Sequence, residues 1–535
     1  MKDTLKQQYV KMEAKRQYAL DKAKEASMLT IPSLYAERDS VNYPNPNQST
    51  GAIGVNNLAS KIAMTLLPPN APFFRWIGDT IQLKKQAEEA GENPDEYEQT
   101  FNKNLAYLEN YVKDSIEEAG DRVIVGEGVK HLIIGGNVLF VDKPKDDLIY
   151  YSLNRYVVRR DYKGNVLKAI TKETVGFDAL PVDVQLKIRN KYPDESNIDN
   201  KEFDIFTGYF RTKRGRTSKW LVWQEVEEIT IESTRGEYPI DKPPFIASRW
   251  TAIAGEDYGR GLIEDVIGDM RSLDDVSKAV TEGAKASARV ITLVNPSGLT
   301  RLKQLAKARN GAIIPGRKDD ITFCQTEKYH DLATAQNRES ELEGRLSRVF
   351  MLAESVTRDA ERVTAYEIQY MVAKLEEALG NTYSLLLMEF QKQYLTIKYH
   401  HLRMRNKDLP NIYKYKGAGV KLVITTGINA LGRNADSLKK DLFFQKLSGL
   451  AEVTQALGLN IQTVAQSYAN DLGLNIDGFF KTQEETQTEQ EQANEQNTLN
   501  NIAPELVRQA GGLMQNAQKT ELEKGNTNDE QTENR

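Results

Sequence analysis

The chain has 535 residues, with 71 Lys and Arg against 76 Asp and Glu for a net charge of −5, 40% hydrophobic residues, and one cysteine, Cys324. That length buries a substantial core without covalent staples and points to roughly two to four structural units. The lone cysteine excludes a secreted disulfide scaffold, the acidic balance excludes a uniformly basic nucleic-acid binder, and no apolar run approaches the roughly 18–20 residues of a membrane helix.

The charged start, Met1-Lys2-Asp3-Thr4-Leu5, lacks the apolar stretch of a signal peptide, so a cytosolic setting is expected. Helix-formers dominate residues 3–27, with Leu5, Tyr9, Met12 and Leu20 as a thin apolar stripe. Pro32, Pro44 and Pro46 mark an extended loop over Ile31 to Ser49. A second helix is expected from Gly51 to Leu67, where Val55, Leu58, Ile62, Thr65 and Leu66 recur at three and four until Pro68-Pro69 stops it. A third covers 97–119 through Phe101, Leu105, Leu108, Val112 and Ile116.

From about Gly136 the pattern turns to short strands: Val138 to Val141, Leu148 to Tyr151, Tyr156 to Val158, Phe203 to Phe210 and Trp220 to Val226. Gly164-Asn165 and Arg214-Gly215 supply turns. A long helix fits Leu262 to Ala288, with Ile263, Ile267, Met270, Leu273, Val276 and Val280 on one face and small residues at its end. A compact insertion follows, with strand-like pieces at Val290 to Val294, Ala312 to Ile314 and Ile321 to Cys324; a helix resumes over Thr334 to Val356. Thr364-Ala365-Tyr366-Glu367 is a capping box. The apolar face after it, through Met371, Leu375, Leu379, Tyr383, Leu386, Phe390, Tyr394 and Ile397, predicts one helix to about Arg405, roughly 60 Å long. It is either an organising element of a large assembly or a long core helix of one domain. Val420 to Thr425 reads as a strand, Leu438 to Leu457 and Ile461 to Leu472 as helices. Residues 482–535 are mostly polar and expected to stay disordered, with Ile502 to Leu513 able to form a helix on a partner. The fold class is therefore mixed α+β and helix-rich.

No pattern makes a positive case for an enzyme: no catalytic residues are assigned and no cofactor is expected. Gly427 to Gly432 has phosphate-loop glycine spacing, but Arg433-Asn434 stands where that loop needs Lys and Ser or Thr. Gly126-x-Gly128 and Gly259-x-Gly261 lack the third glycine of a dinucleotide fingerprint and read as turns. His131, His330, His400 and His401 form no helical metal pair, and one cysteine builds no typical zinc site, so no metal is expected. His400 and His401, near a helix end, suit its dipole. Asp265, Asp269, Asp274 and Asp275 either hold a metal, as in nucleases, or form a solvated or channel-facing surface; their spread over more than one helical face favours the surface.

An ordered set of strings resembles the portal (head-to-tail connector) proteins of short-tailed bacteriophages. They are Ile31-Pro32-Ser33-Leu34-Tyr35, Asn56 to Lys61 ending in Leu67-Pro68, Tyr258-Gly259-Arg260, Val294 to Gly298, Gly316 to Ile321, Glu361 to Ile368 and Thr426 to Arg433. The likeness runs from about residue 30 to 480. It implies a ring, usually of twelve subunits, at one capsid vertex. Residues 1–261 would form the wing, 262–289 and 334–356 two stem helices, 290–333 a small α/β clip, and 357–363 a tunnel loop. Residues 364–435 would be the long wing helix and the wing return, and 436–481 the crown. The implied partners are further copies of the chain, double-stranded DNA held without sequence preference, the terminase large subunit, the major capsid and scaffold proteins, and the tail adaptor and internal virion proteins. The place would be the virion, with assembly in host cytoplasm.

A channel that passes a genome must avoid strong phosphate affinity along most of its length. An acidic chain with a few basic residues at one constriction meets that need. Arg358 and Arg362 flank the implied tunnel loop, and ring symmetry would repeat them as a positive collar; alternatively Arg362 pairs with Glu361 or Glu367 and only holds the loop. Lys303, Lys307, Arg309, Arg317 and Lys318 are candidates for partner contacts in the clip. Two other classes remain: a non-ring virion or scaffold protein, opposed by the β-rich middle and the helix–insert–helix layout, and a nuclease or motor subunit, opposed by the incomplete phosphate loop.

Overall fold

The computed structural model describes residues 3–36, 43–69, 73–144, 147–193, 197–214, 217–287, 291–298, 302–309, 312–315, 317–324, 329–352, 374–375, 377–410, 412 and 420–424. All lie within the compact unit Met1–Leu431.

Helix α1 (Leu5–Met28) begins at a capping box in which the Thr4 hydroxyl accepts from Gln7 N and the Gln7 side chain accepts from Thr4 N. Its stripe of Leu5, Tyr9, Met12 and Leu20 is buried as expected. Arg16 is buried with it. Nη1 donates to Leu153 O at 2.9 Å, Asn154 O at 3.0 Å and Tyr156 O at 3.1 Å, while Nη2 meets Glu13 at 2.8 Å. A buried guanidinium needs acceptors, and the two Nη groups find them here, which ties α1 to the segment Leu153 to Tyr156.

Helix α2 (Thr50–Leu66) buries all five residues expected to face inward. Strand β1 (Phe74–Ile77), α3 (Thr80–Ala90) and α4 (Pro94–Glu118) follow, and α4 buries Phe101, Leu105, Leu108, Val112 and Ile116.

The reading of Gly126-x-Gly128 as a turn is corrected. Both lie inside α5 (Asp121–Gly135), a mostly buried helix. Val125, Val129, Leu132, Ile133 and Ile134 are all buried, and the outer face is narrow, with only Arg122, Glu127 and Lys130 as its charged residues, so the helical period is weak. Gly128 serves close packing: an added Cβ would sit 2.3 Å from the Phe140 ring. Gly259 and Gly261 do lie outside helices and strands, with Gly261 against the Ile134 carbonyl.

Two antiparallel sheets carry the middle of the chain. One has order β3-β2-β9, formed by β2 (Asn137–Val141), β3 (Ile149–Tyr151) and β9 (Phe245–Arg249). The other is a five-stranded meander of β4 (Tyr156–Arg160), β5 (Val166–Gly176), β6 (Glu202–Arg214), β7 (Thr217–Val226) and β8 (Ile229–Pro239). The expected strands are present; β5, β8 and β9 were not foreseen. Helix α6 (Val182–Lys191) covers a satellite core of Phe177, Val184, Ile188, Phe203 and Val226.

Further on come α7 (Leu262–Ser287), β10 (Ile291–Val294), α8 (Leu302–Lys307), β11 (Ile321–Cys324) and α9 (Tyr329–Val349). Ala312 to Ile314, expected as strand-like, has no ladder partner among the described residues. Helix α9 starts earlier than expected and stops at Val349, because Met351 takes a left-handed φ of 54°.

The single helix expected to reach Arg405 is also corrected. Gly380, at φ 48° and ψ −116°, interrupts it; α10 (Asn381–Leu386) then passes through a π turn, Leu387–Gln391, into α11 (Lys392–Arg405). The apolar face survives the interruption: Tyr383, Leu386, Phe390, Tyr394 and Ile397 are all buried. The π turn aims Glu389 at Arg249, accepting from Nη2 at 2.6 Å and from the backbone N at 3.1 Å. Next in the chain, Gln391 donates to Leu66 O at 2.6 Å. Strand β12 (Lys421–Ile424) pairs antiparallel with β1, Phe74 opposite Ile424.

The capping box at Thr364, the segments Leu438 to Leu457 and Ile461 to Leu472, and the polar tail lie outside the described residues. No helix among the described residues is long and apolar enough to cross a membrane.

Candidate functional site

The long hairpin of α7 and α9, with the insertion between them, carries most of the residues singled out in the sequence. Ser277 Oγ donates to Glu339 Oε1 at 2.5 Å, and an added Cβ at Gly283 would meet Leu332 at 3.1 Å. Numbers that rise along α7 meet numbers that fall along α9, so the two helices run antiparallel. Small residues late in α7 permit that close approach.

Among the described residues, only the near half of the hairpin enters the main core, through Ile263, Met270, Leu273, Leu342, Leu346 and Phe350. The Phe350 ring occupies the space left by the missing side chain of Gly54, where a Cβ would sit 2.4 Å away. Asn57 Nδ2 donates to Phe350 O at 3.2 Å and Lys61 Nζ to Met351 O at 2.7 Å. Helix α2 thus grips the end of α9 just before the stretch that contains Arg358 and Arg362. Those two arginines lie outside the described residues, as does Gly427 to Asn434.

The far end of the hairpin is closed by the β10–β11 ladder, from Ile291 opposite Cys324 to Val294 opposite Ile321. Beyond it, Asn295 N donates to Asp320 O at 2.9 Å, and the Asp320 carboxyl fills the space above Gly298. Lys303 and Lys307 lie on α8, Arg309 just after it, and Arg317 and Lys318 at the turn leading to β11; all five are exposed. None forms an ion pair with a described residue. The tip also shows Ile313, fully exposed at 101%, which no period or motif in the sequence marks.

The acidic residues of α7 do not converge. Asp274 is occupied by Asn47, accepting from its backbone N at 2.5 Å and from Nδ2 at 3.1 Å, and Asp265 and Asp275 are exposed. No group of three or more His, Cys, Asp or Glu among the described residues is placed to hold a metal. On α9, Glu341 accepts from Arg338 and from Arg345, each at 2.6 Å, and these bonds and charges hold its carboxyl below the usual range.

Three of the histidines, His131, His400 and His401, are buried or half-buried. Burial pushes His131 down to about 4, edge-on to Tyr35 and tilted on Tyr150. Burial and nearby Lys242 push His400 down to about 4 as well, so it brings no positive charge to the end of α11 at neutral pH, contrary to the dipole expectation. His401 is buried beside Asp142, Nδ1 to Oδ2 at 3.4 Å. A second buried cluster lies nearby: Asp121, the first residue of α5, accepts from Lys398 Nζ at 2.6 Å and from the Tyr394 hydroxyl at 2.5 Å.

Comparison with known proteins finds one family and several relatives along most of the chain. The family model described as bacteriophage head to tail connecting protein matches residues 2–477. The chain is 34% identical to the portal protein of Enterobacteria phage T3 over 492 residues, covering 91% of this chain and 89% of the relative. It is 32% identical to the portal protein of Escherichia phage T7 over 513 residues, 94% of this chain and 93% of that one. A chain from the neck of an empty gene transfer agent particle aligns over 77% of this chain and 91% of its own length, at 11% identity and a TM-score of 0.33, too low to bear on the fold.

Proposed function

The chain belongs to the bacteriophage head to tail connecting protein family, and we propose from that premise that it is a portal subunit, one copy of a ring at one capsid vertex through which DNA enters and leaves. The observation that carries this reading is the match to curated portal proteins along nine-tenths of the chain, at 34% identity for the phage T3 relative.

In this reading the ring has twelve subunits. Residues 1–261 form the wing, α7 and α9 are the stem helices, and 290–333 is the clip. Residues 357–363 form the tunnel loop, 364–435 the long helix and wing return, and 436–481 the crown. Lys303, Lys307, Arg309, Arg317, Lys318 and Ile313 meet the terminase large subunit during packaging and the tail adaptor afterwards. The major capsid and scaffold proteins and the internal virion proteins complete the contacts. Arg358 and Arg362 face DNA and steady it by phosphate contact without reading bases. The grip of α2 on Phe350 and Met351 supports this role, because it gives that segment a fixed point of departure.

Negative-stain electron microscopy with native mass measurement tests the ring. Closed rings with a central hole are expected. A species that stays monomeric at high concentration and with scaffold protein present would point instead to a virion or scaffold protein that forms no ring. For the loop, R358A/R362A in assembled particles is expected to lower DNA retention; unchanged retention would leave Arg362 a purely structural residue.

A further inference from the structure

Away from the hairpin, a cleft of about 210 Å³ opens between the start of α1, strands β4 and β5, and the loop at Asp257. Met12 and Val158 form its apolar floor, and Lys11, Lys15, Arg159 and Lys168 line it. Its two acids are already engaged. Asp3 pairs with Lys11 at 2.6 Å, and Asp257 Oδ1 accepts from the backbone N of Arg160 at 2.6 Å.

That leaves three cations that form no ion pair with a described residue. Lys15 and Arg159 form no ion pair, and Lys168 meets only the neutral Gln8 side chain, at 3.3 Å. Burial and then the charge of Arg159 lower the Lys168 ammonium below the usual lysine range, against a smaller opposing pull from Asp3, with Lys11 adding to the lowering. Like charges gathered around a partly dry space repel one another, and a multivalent anion relieves that repulsion. An ammonium pair with one guanidinium fork suits phosphate oxygens.

We propose that this cleft is a phosphate-binding site, with Lys15, Arg159 and Lys168 as its ligands. The phosphate is either a group of a DNA backbone lying across the wing face or a free phosphate ion. The site differs from the Arg358 and Arg362 collar and from the clip cations, and it does not depend on either.

Two measurements on the full chain separate the sources: equilibrium dialysis with inorganic phosphate, and fluorescence anisotropy with a short labelled DNA duplex across a salt series. K168Q/R159Q is compared with wild type and with K84Q/K85Q, a charge-matched change on exposed α3. The double variant is expected to bind at least tenfold more weakly, and K84Q/K85Q is expected to match wild type. Loss of phosphate binding identifies the free ion as sufficient. Loss confined to the duplex identifies the backbone, with a salt slope shallower by about 0.9 for each phosphate contact removed. If K168Q/R159Q melts early, K15Q on the exposed side of the cleft carries the same comparison. Wild type that binds neither probe, variants that bind like wild type, or an equal loss in K84Q/K85Q would each overturn the site.

Discussion

In the body of the subunit, Lys398 is buried against Asp121 and Tyr394, Arg16 satisfies three carbonyls, and Glu389 grips Arg249. In the hairpin beyond Ser277, no apolar side chain among the described residues is buried until Leu342, while Leu293 and Ile313 stand exposed. The body closes on itself, whereas the far half of the hairpin has little of its own to bury. Ordering a segment costs about 1–2 kcal/mol per residue of backbone entropy, and burial normally offsets that cost. In the proposed portal reading, neighbouring copies in a ring would supply that missing burial.

Four changes sharpen or break that contrast. The largest effect is expected for K398M, which leaves the Asp121 carboxylate buried without its cation. A loss of about 3–5 kcal/mol in denaturant unfolding is expected, and a loss below about 1 kcal/mol would mean the body tolerates open charge as the hairpin does.

Next is acid sensitivity. His131 is held down to about 4 against an ordinary 6.5, so the unfolded chain binds the proton more readily. The stability from the neutral imidazole is complete above about pH 6.5 and is lost as the pH falls towards 4, about 3 kcal/mol in all. H131F, which keeps the packing on Tyr35 and Tyr150, is expected to flatten that part of the stability profile relative to wild type.

Smaller again is G128A, where the new methyl meets the Phe140 ring and costs about 1–3 kcal/mol in a thermal melt. The smallest is G344A on α9, where an added Cβ meets nothing within 4 Å. There the helix gains about 0.5–1 kcal/mol, so G128A and G344A should move the melting temperature in opposite directions.

The elements legible in the sequence were those with one wet face. Helices α1, α2, α4 and α7 keep a polar side, so Leu5, Tyr9 and Met12, or Phe101, Leu105 and Leu108, stand out at helical spacing. Helix α5 is mostly buried and contains Gly126 and Gly128, so both period and propensity pointed away from a helix that packing nevertheless enforces. The break at Gly380 and the π turn were hidden because the apolar face continues through them, and only the tie between Glu389 and Arg249 explains the turn. The hairpin cations were legible as a cluster in sequence. The cleft at Lys168 was not, because its lining comes from Asp3 to Lys15, from Val158 to Lys168 and from Asp257, which only the fold brings together.

The pairing of Phe74 with Ile424 also has a consequence in time. At a synthesis rate of roughly 5–20 residues per second, β1 leaves the ribosome on the order of tens of seconds before β12 exists. Glu109 of α4 accepts from the Trp76 N–H at 2.8 Å, a group that points away from β12 and so leaves the edge that β12 will meet unpaired. Arrival of β12 therefore ends the exposure of that β1 edge to wrong pairing with other nascent chains.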